Sequence, residues 1–349
     1  MPQLQGVGHG QAAAELRGGL MPLLAWLPGL AAVAAGATWL TLRYARRRLI
    51  DQPGERRSHT LPTPRGGGLG IAVALLVAAA LAAATGLAPW PGVAGFAAGL
   101  VLVAGIGWLD DHRPLSPWLR LGVQWLAGAV LACGFHLCGA DVAIAVLALV
   151  AVPVLVNVWN FMDGIDGLAT TQAAIAALAL AHLSMPAAAP AGWALAAACA
   201  GFLPFNFPRA RIFLGDVGSG TLGYALAVVV MLAAAGQRGP ADAMLLLLPL
   251  SAFLVDASLT LAARILAGER WWLPHLSHVY QRWVRAGRSH VFVTSSYALF
   301  SIVAAILASA LHGAGPLPAG GGAVSWLAMA GLGWLVLRRL TRTDGMSSG

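Results

Sequence analysis

The chain has 349 residues, of which 59% are hydrophobic and 10% charged, with mean hydropathy +0.77. A soluble domain of this length needs far more polar surface, so these proportions exclude one and indicate a polytopic membrane protein. The net charge of +8 is a topology signal rather than a nucleic-acid footprint, because the basic residues gather on alternate loops beside the membrane.

Crossing the hydrocarbon takes about 20 apolar residues per helix. Such runs occur at 21–42, 67–87, 92–109, 120–138, 142–159, 168–184, 191–207, 218–235, 242–262, 291–311 and 322–338. The expected fold is all-α, with about eleven transmembrane helices. Continuous rather than alternating apolar runs argue against a membrane barrel. Residues 1–20 read as a disordered leader, 21–340 as one catalytic membrane domain and 341–349 as a tail. The first span is long and lacks both a basic leader and a cleavage site, so it is expected to be retained. Every basic side chain is arginine, and all but Arg17 and Arg238 fall on one set of loops. That asymmetry predicts a periplasmic N-terminus and a cytoplasmic C-terminus. Cys133, Cys138 and Cys199 lie in apolar runs without metal-ligand partners and read as small core residues.

The polar residues then fall into five segments at the predicted inner ends of the helices. The first, "RRSHTLPTPRGGG", joins Ser58, His59, Thr63 and Arg65 to three glycines. Its arginine and backbone amides suit a phosphate-bearing ligand, although a flexible linker is the plainer reading. Next, Asp110 and Asp111 close the third span in "GWLDDHRPLSPWLR". Adjacent carboxylates repel one another and oppose the helix dipole, so they call for a shared cation. A solvated helix end is the alternative.

In "NVWNFMDGIDGLATTQ", Asn157, Asn160, Asp163 and Asp166 recur every third residue and form a polar stripe on a helical path. Two amides and two carboxylates together can read a nucleobase and hold a metal. A polar seam between helices is the structural alternative. In "RIFLGDVGSGTLGY", Asp216 stands among glycines at a helix start, as a cap or as a ligand for magnesium, which prefers carboxylate oxygen beside phosphate. Finally, "HLSHVYQRW" sets His275, His278 and Arg282 on one helix face, an arrangement suited to a diphosphate.

Taken in this order, "PTPRGGG", "DD", "NVWNFMDGIDG", "NFPRARIFLGDVGSG" and "PHLSHVYQR" resemble the motifs of the polyprenyl-phosphate N-acetylhexosamine-1-phosphate transferases. The resemblance runs from about Asp51 to about Arg285. It implies that a UDP-N-acetyl sugar gives its sugar 1-phosphate to undecaprenyl phosphate and releases UMP. Asp216 then corresponds to the magnesium ligand with Asp111 beside it, and manganese is a substitute cation. Asp110 corresponds to the proposed base or nucleophile, and Asn160, Asp163 and Asp166 match the nucleoside and catalytic segment. Asn206 matches an asparagine near the nucleotide, and His275 and His278 match the basic cluster near the diphosphate. The implied setting is the cytoplasmic face of a bacterial inner membrane, with membrane lipids as partners, no nucleic acid, and a homodimer as the assembly to test.

Two features depart from the branch that acts on muramoyl-pentapeptide. Met162 stands where that branch carries threonine, and the histidines are separated. They favour the branch that starts O-antigen or exopolysaccharide, with the sugar left open. A secondary transporter would carry charges near the midplane on broken helices; here Asp256 alone lies deeper.

Overall fold

The computed structural model describes residues 7–52, 61–270, 272–273 and 275–343. Its helices are α1 (Val7–Arg48), α2 (Leu69–Ala84), α3 (Trp90–His112), α4 (Pro117–Leu137), α5 (Val142–Phe161) and α6 (Leu168–Leu183), followed by α7 (Ala189–Asn206), α8 (Gly215–Ala235), α9 (Pro240–Leu245), α10 (Ser251–Leu266), α11 (Val279–Arg285), α12 (His290–Leu311) and α13 (Pro316–Thr343). The chain is an all-α polytopic membrane protein, and its one sheet among the described residues is a short antiparallel pair, β1 (Ile50–Asp51) with β2 (Thr63–Pro64). Helix α1 takes in much of the expected leader. Among the described residues, seven helices are long and apolar enough to cross a membrane, namely α3, α4, α5, α8, α12, α13 and the Leu24–Arg48 part of α1. Helices α2 and α6 are apolar but shorter, at 16 residues each.

The ninth expected span is not one helix. It splits into α9, a turn over 246–250, and α10. Pro249 has no N–H, and around it Leu248, Leu250 and Ser251 donate to carbonyls three residues back rather than four. The cysteine expectation also needs correction: Cys199 is buried, but Cys133 and Cys138 are exposed on the outside of the bundle.

Helix α8 is the axis, packed by α3, α5 and α6. Close approach depends on small residues. A Cβ on Gly223 would lie 2.5 Å from both the Leu155 carbonyl oxygen and the Val156 Cα, and one on Gly107 would lie 2.5 Å from the Asp216 carbonyl oxygen. A Cβ on Gly68 would collide with the Gly218 backbone. The segment after β2 is tied to the start of α8: Phe213 N donates to Pro64 O at 2.8 Å, and Gly67 N to Phe213 O at 2.9 Å. Arg65 and the glycine run are thereby laid across the mouth of the bundle.

Candidate active site

Five acidic side chains, Asp51, Asp111, Asp163, Asp166 and Asp216, and two arginines, Arg65 and Arg120, line a cavity there. Asp111, at the end of α3, is buried, and its two carboxylate oxygens accept from Asp216 N and Val217 N at 3.1 Å each. It therefore fills the role of a helix cap from another element, satisfying the first amides of α8. Gly215 makes this possible: its φ is +76°, and a Cβ would stand 2.6 Å from Asp111 Oδ2. Arg65 braces the same corner through Nε to the Asp111 carbonyl at 3.0 Å and to its Oδ1 at 3.5 Å. Asp216 takes a hydrogen bond from Asn160 Nδ2, which also reaches Ser219 Oγ at 3.1 Å. Arg120 Nη1 lies 2.6 Å from Asp110 Oδ2 and 3.9 Å from Asp216 Oδ1, linking the two carboxylates.

The connection from α5 to α6 supplies the facing wall. Asp163 lines the cavity, and its burial, with Asp216, Asp111 and Asp166 around it, pushes its carboxyl well above the usual carboxylate range. Asp166 Oδ2 accepts from Ala210 N at 3.3 Å and lies 3.3 Å from His290 Nδ1, while its carbonyl accepts from Thr294 Oγ1 at 2.9 Å. Gly167 turns the chain at φ +73°, and its N donates to Asn206 Oδ1 at 2.9 Å. The cavity enclosed is about 400 Å³ and reaches His275 and His278.

A family model described as glycosyl transferase family 4 matches residues 93–234, which takes in α3 to α8 and the acidic wall. Decaprenyl-phosphate N-acetylglucosaminephosphotransferase of Mycobacterium tuberculosis is 32% identical over 331 residues, covering 82% of each chain. The chain belongs to glycosyl transferase family 4. It is a phosphotransferase, and the resemblance carried by its five motifs holds. A probable undecaprenyl-phosphate N-acetylglucosaminyl 1-phosphate transferase of Bacillus subtilis is 28% identical over 281 residues, 75% of this chain and 78% of the relative. A phospho-N-acetylmuramoyl-pentapeptide-transferase of Microcystis aeruginosa is 37% identical over 155 residues, but these cover 37% of this chain and 43% of the relative.

Several expected site residues of this family 4 chain lie off the cavity. Both aspartates of the pair are buried, but Asp111 alone of the two lines the cavity. Asp110 sits just behind it, accepting from Leu115 N at 2.6 Å and from Arg120, which also reaches Asp216. Asn157 is drawn to α4, donating to Gln124 Oε1 at 2.6 Å and to the Pro153 carbonyl at 2.7 Å, and is a seam between helices. Thr63 is buried in β2, its hydroxyl on the Leu61 carbonyl. Arg282 lines a neighbouring groove, with Nε donating to Ser277 O at 3.0 Å. Ser58 and His59 lie outside the described residues. Asn206 lines the cavity, yet its amide ties Gly167 N to the Ile212 carbonyl and so braces the turn.

Arg120 and His290 are additions the motifs did not reveal. Asp256 is a third: it accepts from Val279 N at 3.0 Å, Tyr297 OH at 2.8 Å, Thr260 Oγ1 at 3.1 Å and Trp334 Nε1 at 3.2 Å, gathering α10, α11, α12 and α13 on one buried carboxylate. A buried carboxylate needs such partners, which was the only signal available in sequence.

Among the described residues, no three His, Cys, Asp or Glu side chains form a ready-made metal cluster. Two carboxylates, Asp216 and Asp163, nevertheless face one cavity, and crowding of negative charge at Asp163 is what a bound dication relieves. Such a donor set fits magnesium, which takes one or two protein carboxylates and draws its remaining ligands from phosphate and water.

Proposed function

We propose that this enzyme transfers an N-acetylhexosamine 1-phosphate from a UDP-sugar to undecaprenyl phosphate, with magnesium, at the cytoplasmic face of a bacterial plasma membrane. The observation that carries the reading is the meeting of Asp111, Asp163 and Asp216 with Arg65 and Arg120 around one cavity at the ends of membrane helices. An oxygen of the acceptor phosphate forms a bond to the β-phosphorus of the donor. The bond from that phosphorus to the bridging oxygen breaks, and UMP leaves. Displacement between two polyanions needs positioning and charge neutralisation more than covalent help.

Asp216, held by Asn160, and Asp163 are the groups to hold magnesium, which supplies charge stabilisation to the diphosphate. Arg120 and Arg65 screen the acidic wall as the two anions approach. Asp111, capping the first amides of α8, fixes the helix start that carries Asp216. The names of the relatives favour N-acetylglucosamine as the sugar. The separated His275 and His278 favour a role at the start of O-antigen or exopolysaccharide over one in peptidoglycan.

The test is UMP release by purified protein given undecaprenyl phosphate, magnesium and a panel of UDP-sugars. Turnover with UDP-N-acetylglucosamine and none with the muramoyl-pentapeptide donor is expected; the reverse preference would move the enzyme to the peptidoglycan branch. Eleven crossings with the cavity facing the cytoplasm complete the reading. A cysteine placed beside Asp163 should then be labelled from the cytoplasmic side alone, and labelling from outside would invert the topology.

A further inference from the structure

On the far side of His275 and Leu276 from the catalytic cavity lies a second groove of about 540 Å³. Three arginines reach it, Arg264 from the end of α10 and Arg282 and Arg285 from α11, and Thr341 of α13 closes one side. Among the described residues lining the groove there is one carboxylate, Glu269, whose Oε2 lies 2.7 Å from Arg264 Nη1. The other contacts of Arg264 are uncharged, to Ser277 Oγ and to the Arg270 carbonyl at 3.3 Å each, and its buried Nε has no hydrogen-bond partner. His275 adds no charge at neutral pH, because burial, with His278 and Arg264 beside it, holds its imidazole down at about 4. Even with Arg282 set aside, Arg264 and Arg285 outnumber the one carboxylate described in the lining, and the Arg264 Nε is an orphaned donor; an anion corrects both.

The flanking helices indicate what carries that anion. Ile265 and Leu266 on α10, and Val336 and Leu340 on α13, are large apolar side chains exposed on the two helices that flank the groove. A ligand complementary to both features is a phosphate on hydrocarbon.

We propose that the groove between α10, α11 and α13 is a second anion site, apart from the catalytic cavity, that seats the phosphate of an anionic lipid headgroup. It does not depend on which sugar is transferred. Free inorganic phosphate shares the same chemistry, so the test separates the two sources.

Wild-type protein, Arg285→Glu, Arg285→Gln and the surface control Arg113→Glu are placed in nanodiscs of phosphatidylcholine with a minor share of phosphatidylglycerol. Lipid retained per protein is then counted by native mass spectrometry. Arg285→Glu should retain phosphatidylglycerol about tenfold less than wild type, the order expected for reversing a charge at a membrane surface. Arg285→Gln should fall between them, and Arg113→Glu should match wild type. Because Arg285→Gln removes the charge without reversing it, the proposal remains testable if Arg285→Glu misfolds. Lipid retained against excess inorganic phosphate supports the headgroup as occupant, while complete displacement assigns the groove to free phosphate and overturns the lipid. Equal retention by wild type and both Arg285 variants overturns the site itself.

Discussion

Helices α8 and α13 are both apolar enough to cross a membrane, and they meet opposite surroundings. In its most apolar window α8 is 89% buried within the bundle, whereas α13 is 22% buried. What separates them is whether another backbone comes up against their glycines; on α13, Gly322 meets only the Leu311 side chain. Gly218 meets the Gly68 backbone and Gly223 the α5 backbone, but nothing lies within 4 Å of a Cβ built at Gly333 of α13. Hydropathy therefore finds the helices, and the spacing of backbones against glycine decides which one becomes the axis that carries the chemistry.

Substitutions can break or sharpen that contrast. The largest effect is expected at the mouth of α8. Asp216→Ala should lower UMP release by about a thousandfold or more, the scale of losing charge stabilisation in a transition state, and turnover within about tenfold of wild type would remove Asp216 from the mechanism. Next comes packing. Gly218→Leu should destabilise the bundle by about 1–3 kcal/mol or more through overpacking, while Gly333→Leu should stay within about 0.5 kcal/mol. Melting of the two variants in the same detergent reads this directly, and equal shifts would erase the difference between the helices.

A smaller change should follow Arg120→Ala, which leaves Asp110 and Asp216 without their shared cation. Turnover is expected to fall about tenfold to a hundredfold, with Arg120→Lys recovering part of it. An unchanged rate would show the arginine to be a bystander. The mildest effect lies at the edge of the site, in His275. Its imidazole is held at about 4 against an ordinary 6.5, so the folded state binds fewer protons than the unfolded chain between these values. Its contribution to stability is complete above about 6.5 and is lost as pH falls towards about 4. The melting temperature of His275→Gln should fall less steeply than wild type across that window, and parallel slopes would discount the histidine.

Much of this was legible from composition and spacing. Ten of the eleven apolar runs coincide with single helices, and the segments around Asp111, Asp163, Asp166, Asp216 and His275 do converge. The expected residues that do not line the cavity share a physical cause, since a stripe or a pair in sequence does not say which neighbour captures each side chain. Gln124 takes Asn157 and Arg120 takes Asp110, both from α4. The ninth run failed for a different reason. Its apolar residues mask Pro249, whose missing N–H matters more there than hydropathy does.

The carboxylate of Asp256 gives the bundle an unexpected genetics. Tyr297 and Trp334 sit on outer helices, yet they hold the same group that fixes the Val279 amide beside His278. A lesion at either aromatic would look like damage to the lipid-facing shell while its defect surfaced in the loop that borders the cavity mouth.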